Sequence, residues 1–186
     1  EGTAELLPAC NTVIFDEAHQ LPEVATLFFG DTVSSAQVLD LARDARAEGL
    51  ANARDCLDLQ AGSRKLEKAA KDLRLAVGVE AGRFAAPQLE DKAEFLPALA
   101  ALQAELEGFA AVLESQAERS EGLEKCWQRS QELAVRLAAW RTPTDAGYVR
   151  WAEAFTQSLQ LNSTPLDVAE IFRKQMGGHP RAWIFT

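Results

Sequence analysis

Apolar residues follow two rhythms along this chain. Residues 12–15, TVIF, form a short β-branched run closed by Asp16 and Glu17, which is how a buried strand of a parallel sheet reads. Leu21 and Pro22 then lead into a short helix through Phe28 and Phe29, with Gly30 as its C-cap. Over residues 34–140 the apolar positions recur every three or four residues in a background of Ala, Leu, Glu, Gln and Arg, which favours helix. Val38, Leu39, Ala42 and Ala45 mark a first helix ended by Gly49. Leu66, Ala69, Ala70, Leu73 and Val77 mark a second, with Gly78 and Gly82 in the turn that follows. A longer helix is expected over residues 89–119, where Pro97 either kinks it or marks its true first turn. Its buried stripe is Leu99, Leu102, Leu106, Phe109, Ala110 and Leu113. After Gly122, Leu123, Trp127, Leu133, Leu137 and Trp140 line a last helix.

The turn residues RTPTDAG at 141–147 end the helical region. Residues 148–156 and 158–161 alternate apolar and polar side chains and read as a pair of strands. Residues 167–176 carry Val168, Ile171 and Phe172 at helical spacing with Gly177 behind them, and residues 182–186, AWIFT, return to an apolar strand. A lone strand leaves its backbone groups unsatisfied, so the strand around Ile14 is expected to pair in parallel with the strand around Ile184 through a long crossover. The expected fold is mostly α, with antiparallel helices joined by short turns into a bundle and inserted between the parallel strands of an incomplete α/β domain.

Composition refines this picture. A chain of 186 residues with 47% hydrophobic residues can bury a real core. A net charge of −9 argues against wholesale attraction to a nucleic-acid backbone, so any such contact is local. Cys10, Cys56 and Cys126 fit neither a disulfide framework nor a CxxC metal knuckle, and read as reduced thiols. No stretch approaches about 20 uninterrupted apolar residues and no basic-then-apolar leader is present, so no membrane contact and a cytoplasmic location are expected. The chain begins at Glu1 without Met and stops directly after Trp183, Ile184 and Phe185. Natural termini are usually polar and loosely held, so an excised piece of a larger protein is expected.

The chemistry lies in DEAH, residues 16–19. An ATPase needs one carboxylate for the water shell of a magnesium ion, which keeps several of its waters, and Asp16 suits that task. A second carboxylate must orient the attacking water, and Glu17 suits that one, since neighbouring residues leaving a strand point to different sides. His19 is placed to hydrogen-bond across to a second domain and report the γ-phosphate. Ligands of open α/β sheets bind at the C-terminal edge of the strands, where these residues fall.

Four apolar residues followed by DEAH resemble motif II of superfamily-two helicases, and the wider stretch FDEAHQLPEVA is similar to the DinG/YoaA/XPD-like branch of five-prime-to-three-prime DNA helicases. LNSTPLDVAEIF followed by AWIFT is similar to the family stretch that leads into motif III, which reads Ser-Ala-Thr. The resemblance implies that residues 1–33 carry the motif II strand and the next helix of a RecA-like motor domain. Residues 34–141 would then be an inserted helical arch, and residues 142–186 the return toward motif III. It further implies Mg2+ and ATP as cofactors and single-stranded DNA as the track. Replication or repair proteins would be partners of the arch, and an iron-sulfur cluster would lie upstream of this segment. No G-x-x-x-x-G-K-[ST] phosphate loop occurs here, so the chain alone is not expected to hydrolyse ATP.

Arg64, Lys68, Lys71 and Arg74 stack on one helix face, flanked by Lys65, and are candidate phosphate contacts for single-stranded DNA. Glu67 and Asp72 interrupt that charge, so the same residues also read as an ordinary solvated face. Trp127, Trp140, Trp151 and Trp183 are expected in cores rather than stacked on bases, and His179 in the turn GGHPR receives no role. Two other readings stand beside a helicase segment. One is a helical protein-interaction module without a catalytic role; the other is a stand-alone helical protein with a fortuitous DEAH.

Overall fold

Ser34 starts the helical region because it can close a capping box. Its hydroxyl accepts the Gln37 N–H at 3.2 Å, and the Gln37 side chain accepts the Ser34 N–H at 2.9 Å. The computed structural model describes residues 12–20, 30–142, 147–166 and 182–186. The helices expected after Pro22 and over 167–176 lie outside them, as do Cys10 and His179. Within the described residues the elements run β1 (Thr12–Phe15), a 3-10 turn (Ala18–Gln20), β2 (Asp31–Ser34), α1 (Ser35–Asn52), α2 (Leu57–Ala76) and β3 (Gly82–Ala85). They continue as α3 (Ala86–Glu90), α4 (Phe95–Glu114), a 3-10 turn (Ala117–Arg119), α5 (Glu121–Arg141), β4 (Tyr148–Ala154), β5 (Leu159–Pro165) and β6 (Ala182–Phe185).

The chain divides into two units, residues 31–163 and residues 1–30 with 164–186. In the first, helices pack in the cycle α1 on α2, α2 on α4, α4 on α5 and α5 back on α1, a four-helix bundle. The stripe of α4 is Phe95, Leu99, Leu102, Leu106, Phe109 and Leu113, all buried, with intervals alternating between four and three. Ala110, expected with them, is only partly buried. Leu59, Leu66 and Leu73 of α2, Leu41 of α1 and Leu123 and Leu137 of α5 complete the core.

Three boundaries differ from the expectation. Gly49 does not end α1, which runs on to Asn52. A Cβ at Gly49 would fall 2.4 Å from Leu59 Cδ2, so this glycine marks a close approach of two helices rather than a stop. The long helix of residues 89–119 is instead α3, a turn and α4, with Pro97 in the first turn of α4, where a missing N–H leaves no bond unmade. Gly122 lies inside α5, which is capped by Ser120 through its hydroxyl to the Leu123 N–H at 3.1 Å.

By length and composition α4, at mean hydropathy 1.4, is apolar enough to cross a membrane, although Gln103, Glu105 and Glu107 interrupt its apolar run. Its buried stripe between α2 and α5 is that of a bundle core helix.

β4 and β5 are neighbours as expected, their turn closed by the Phe155 N–H on the Ser158 carbonyl at 2.8 Å. Two short partners were not foreseen: the sheet order is β2-β5-β4-β3, with β2 antiparallel to β5 and β3 antiparallel to β4. Val33, Ala152, Ala154, Leu159 and Leu161 are among its buried side chains. Trp140 of α5 is buried and ties the helices to the sheet, its indole N–H donating to the Asn162 carbonyl at 3.0 Å. Trp127 packs partly buried against the core, and Trp151 is half-buried beneath the Arg83 guanidinium at 5.0 Å. The Trp183 side chain lies outside the described residues.

In the second unit β1 pairs with β6 in parallel, Thr12 opposite Ala182 through Phe15 opposite Phe185, which is the pairing anticipated from the two apolar runs. Burial differs. Ile14 and Ile184 stand side by side in the ladder yet are 63% and 44% exposed, unlike the strands of a parallel sheet covered on both faces.

Candidate functional site

The parallel ladder continues beyond the last strand residues. The Thr186 N–H donates to the Phe15 carbonyl at 2.9 Å, and the Ala18 N–H donates to the Thr186 carbonyl at 2.9 Å. Asp16 and Glu17 are therefore held at the C-terminal end of β1, in a turn clamped by the end of β6. Glu17 takes φ +54°, the left-handed region that non-glycine residues seldom occupy, and its carbonyl accepts the Gln20 N–H at 2.9 Å to close the 3-10 turn. Such strain persists only where surrounding contacts over-determine it, and functional turns are where it gathers.

Asp16 Oδ1 accepts the Glu17 N–H at 3.0 Å and the Thr186 hydroxyl at 3.2 Å. Glu17 Oε2 lies 3.2 Å from His19 Nδ1, with the two side chains 65% and 73% exposed. At that exposure the pair adds little stability, and both carboxylates stay open to an incoming ligand. The structure thus brings Asp16, Glu17 and His19 together on one turn. Sequence reasoning missed Thr186, although the pairing of Ile14 with Ile184 already implies that the residue two past Ile184 sits level with Asp16.

Among the described residues no group of three or more His, Cys, Asp or Glu side chains forms a ready metal cage. A hydrated magnesium ion needs none: it takes one or two carboxylates and draws its remaining ligands from water and phosphate oxygens. Asp16, exposed and with its hydrogen bonds among the described residues falling on a single oxygen, fits that requirement. Cys56 and Cys126 are free thiols, and burial pushes the Cys126 thiol above its ordinary range.

The basic residues of α2 do not form one face. Arg64, Lys65, Lys68 and Lys71 are exposed, but Arg74 is only 7% exposed. Its guanidinium donates to the Phe155 carbonyl at 2.7 Å and to the Gly78 carbonyl at 2.6 Å, so Arg74 is withdrawn from the expected phosphate-contact surface. The cause is the end of α2: Gly78 at φ +100° turns the chain, and cationic side chains bond the carbonyls just past the helix's last residue, where its dipole favours a cation. Lys92 does the same for Val77 at 2.5 Å. Lys68 pairs with Asp72 at 2.5 Å, and with Lys65 it lines one lip of a groove of about 570 Å3 whose other side carries Glu94 and Glu105.

Comparison with known proteins extends the reading to the whole chain. The ATP-dependent DNA helicase YoaA of Escherichia coli is 34% identical over 185 residues, covering 100% of this chain. The ATP-dependent DNA helicase YoaA of Haemophilus influenzae is 31% identical over 186 residues. This chain is homologous to a segment of the YoaA helicases. It spans 29% of the length of either of these curated relatives. No protein-family model matches it. The likeness to YoaA covers the helical middle, where the sequence motifs alone are silent, as well as the two apolar strands that carry DEAH and AWIFT.

Proposed function

We propose that this chain is the part of an ATP-dependent five-prime-to-three-prime DNA helicase that carries motif II and an inserted helical arch. In this reading residues 1–30 and 164–186 belong to the RecA-like motor, and residues 31–163, the helices together with their four-stranded sheet, form the inserted arch. The observation that carries it is the similarity, over the whole of this chain, to a segment of two YoaA helicases, supported by a β1–β6 pair that delivers adjacent carboxylates to the C-terminal edge of parallel strands. Asp16 would hold the water shell of Mg2+, Glu17 would orient the attacking water, and His19, 3.2 Å from Glu17 Oε2, would hydrogen-bond across to a second domain and report the γ-phosphate. When bound, Mg2+ neutralises charge on the transferred phosphoryl group. The uncovered Ile14 and Ile184 agree with a strand pair belonging to a larger sheet. Of the basic residues, Arg64, Lys65, Lys68 and Lys71 remain the candidate contacts for single-stranded DNA.

The test is Glu17→Gln in the protein prepared at the full length of its relatives. DNA-stimulated ATP hydrolysis is expected to fall at least about 100-fold, since positioning and charge stabilisation at the attacking water carry most of such a reaction, while nucleotide binding persists. Hydrolysis at the wild-type rate would refute the assignment. That result would favour the second reading, a protein-interaction module, for which the groove between α2 and α4 offers a lining of mixed charge, Lys65, Lys68 and Asp72 facing Glu94 and Glu105, that suits a protein better than a polyphosphate.

A further inference from the structure

We propose that Thr186 is a positioning residue for Asp16, fixing the carboxylate so that Oδ2 faces the water shell of the nucleotide's magnesium ion; this rests on the role given to Asp16 above. The register of β1 and β6 runs one step past Phe15 opposite Phe185, and so brings Thr186 level with Asp16 across 170 residues of chain. The main chain of Thr186 is pinned on both sides of the turn, by its N–H on Phe15 and its carbonyl under the Ala18 N–H. Its hydroxyl then has two acceptors in reach, the Phe15 carbonyl and Asp16 Oδ1, each at 3.2 Å.

One proton serves only one of them fully. The Phe15 carbonyl already accepts the Thr186 N–H at 2.9 Å, and an ionised carboxylate is the stronger acceptor. The hydroxyl proton therefore goes to Asp16. With the Glu17 N–H on the same oxygen at 3.0 Å, two donors define the plane of the carboxyl group and leave Oδ2 for the metal's water. An exposed carboxylate without these donors would have to give up rotamer freedom when the metal arrives. Outer partners that orient a metal-binding side chain act by removing that cost.

The measurement is binding of a non-hydrolysable ATP analogue to the protein at the full length of its relatives, titrated with Mg2+ and repeated in EDTA. Thr186→Val keeps the shape and removes the hydroxyl. It is expected to raise the Mg2+ concentration for half-maximal binding about ten-fold, the scale on which such outer partners act. Metal-free binding and the melting temperature stay as in the wild type. Thr186→Ser restores the wild-type value. Thr186→Ala gives the same shift as Val should the Val methyl disturb the strand. On an Asp16→Asn background Thr186→Val adds nothing. An unchanged Mg2+ requirement in both Val and Ala variants overturns the proposal, as does an equal loss in the Ser variant. If Asp16→Asn itself leaves the Mg2+ requirement unaltered, it is the assignment of Asp16 that fails.

Discussion

Removing the head group of Arg74 separates a structural cation from a DNA-binding one. Arg74→Met keeps most of the buried stem and deletes the guanidinium that bonds the Phe155 and Gly78 carbonyls at 2.7 and 2.6 Å. Each hydrogen bond from a charged donor contributes about 1.5–3 kcal/mol. Phe155 is 43% exposed, so water can partly take over at that carbonyl. The Gly78 carbonyl closes the end of α2, where the helix dipole favours a cation. These terms combine to an expected loss of about 2–4 kcal/mol. At roughly 2–4 °C per kcal/mol for a chain of this size, the melting temperature falls by about 5–15 °C. Arg74→Lys, which cannot fork to both carbonyls, should lie between the two. Circular dichroism of the chain in heat and in urea reads the loss. In the protein at the length of its relatives, the dependence of single-strand affinity on log salt should be the same for wild type and Arg74→Met, because a buried guanidinium releases no phosphate counterion. Lys68→Glu with Lys71→Glu is the comparator that flattens it. A stability change under about 0.5 kcal/mol, or a slope reduced by about one, would refute the reasoning.

Two further perturbations test the packing and the electrostatics of the bundle. Gly62→Ala gains about 1 kcal/mol of helix propensity, but its Cβ would meet the buried Phe109 ring at 2.7 Å. Overpacking of about 1–3 kcal/mol should win, so the variant melts lower, whereas Gly108→Ala, with nothing within 4 Å, melts higher; the reverse order in thermal melts would show that the α2–α4 spacing is looser than described. Asp55 is held below the usual carboxylate range by the Arg119 hydrogen bonds at 2.5 and 2.8 Å, its own backbone N–H adding to this and burial opposing it. A lowered folded-state pKa means the contribution is complete above about pH 4, the unfolded value, and disappears as the pH falls through the folded one. The stability gap between wild type and Asp55→Asn should therefore close in acid, and also in high salt because the pair is exposed; a gap independent of pH would exclude the ion pair as its source.

The elements legible in the sequence are those whose signal is local. The alternation of four and three in α4, the apolar runs TVIF and AWIFT and the hairpin of β4 and β5 each appear in a window of a few residues. What escaped depends on partners far along the chain. β2 and β3 are four residues each, too short to show a period, and exist because β5 and β4 offer them unpaired edges. Gly49 has the composition of a stop signal, yet it sits where Leu59 presses against α1. A glycine in a helical pattern is ambiguous between those roles until the neighbouring helix is in place.

The candidate site shows the same division, and it explains why one prediction about charge fails while the carboxylates come together. Asp16, Glu17 and His19 are consecutive enough that one strand end brings them together whatever the rest of the chain does. The basic stripe of α2 was read by helical spacing alone, which fixes angles around an axis but not which end of the helix meets another element. Arg74 lies in the last turn, where its buried guanidinium donates both to the Gly78 carbonyl just past α2 and to the Phe155 carbonyl of the β4–β5 turn. Lys71 and Lys68, about one and two turns earlier, have no such backbone acceptors among the described residues and stay on the surface. Helical periodicity therefore locates a charge on a face, and only the unsatisfied backbone groups at the helix end decide whether that charge faces outward to a phosphate or inward to a carbonyl.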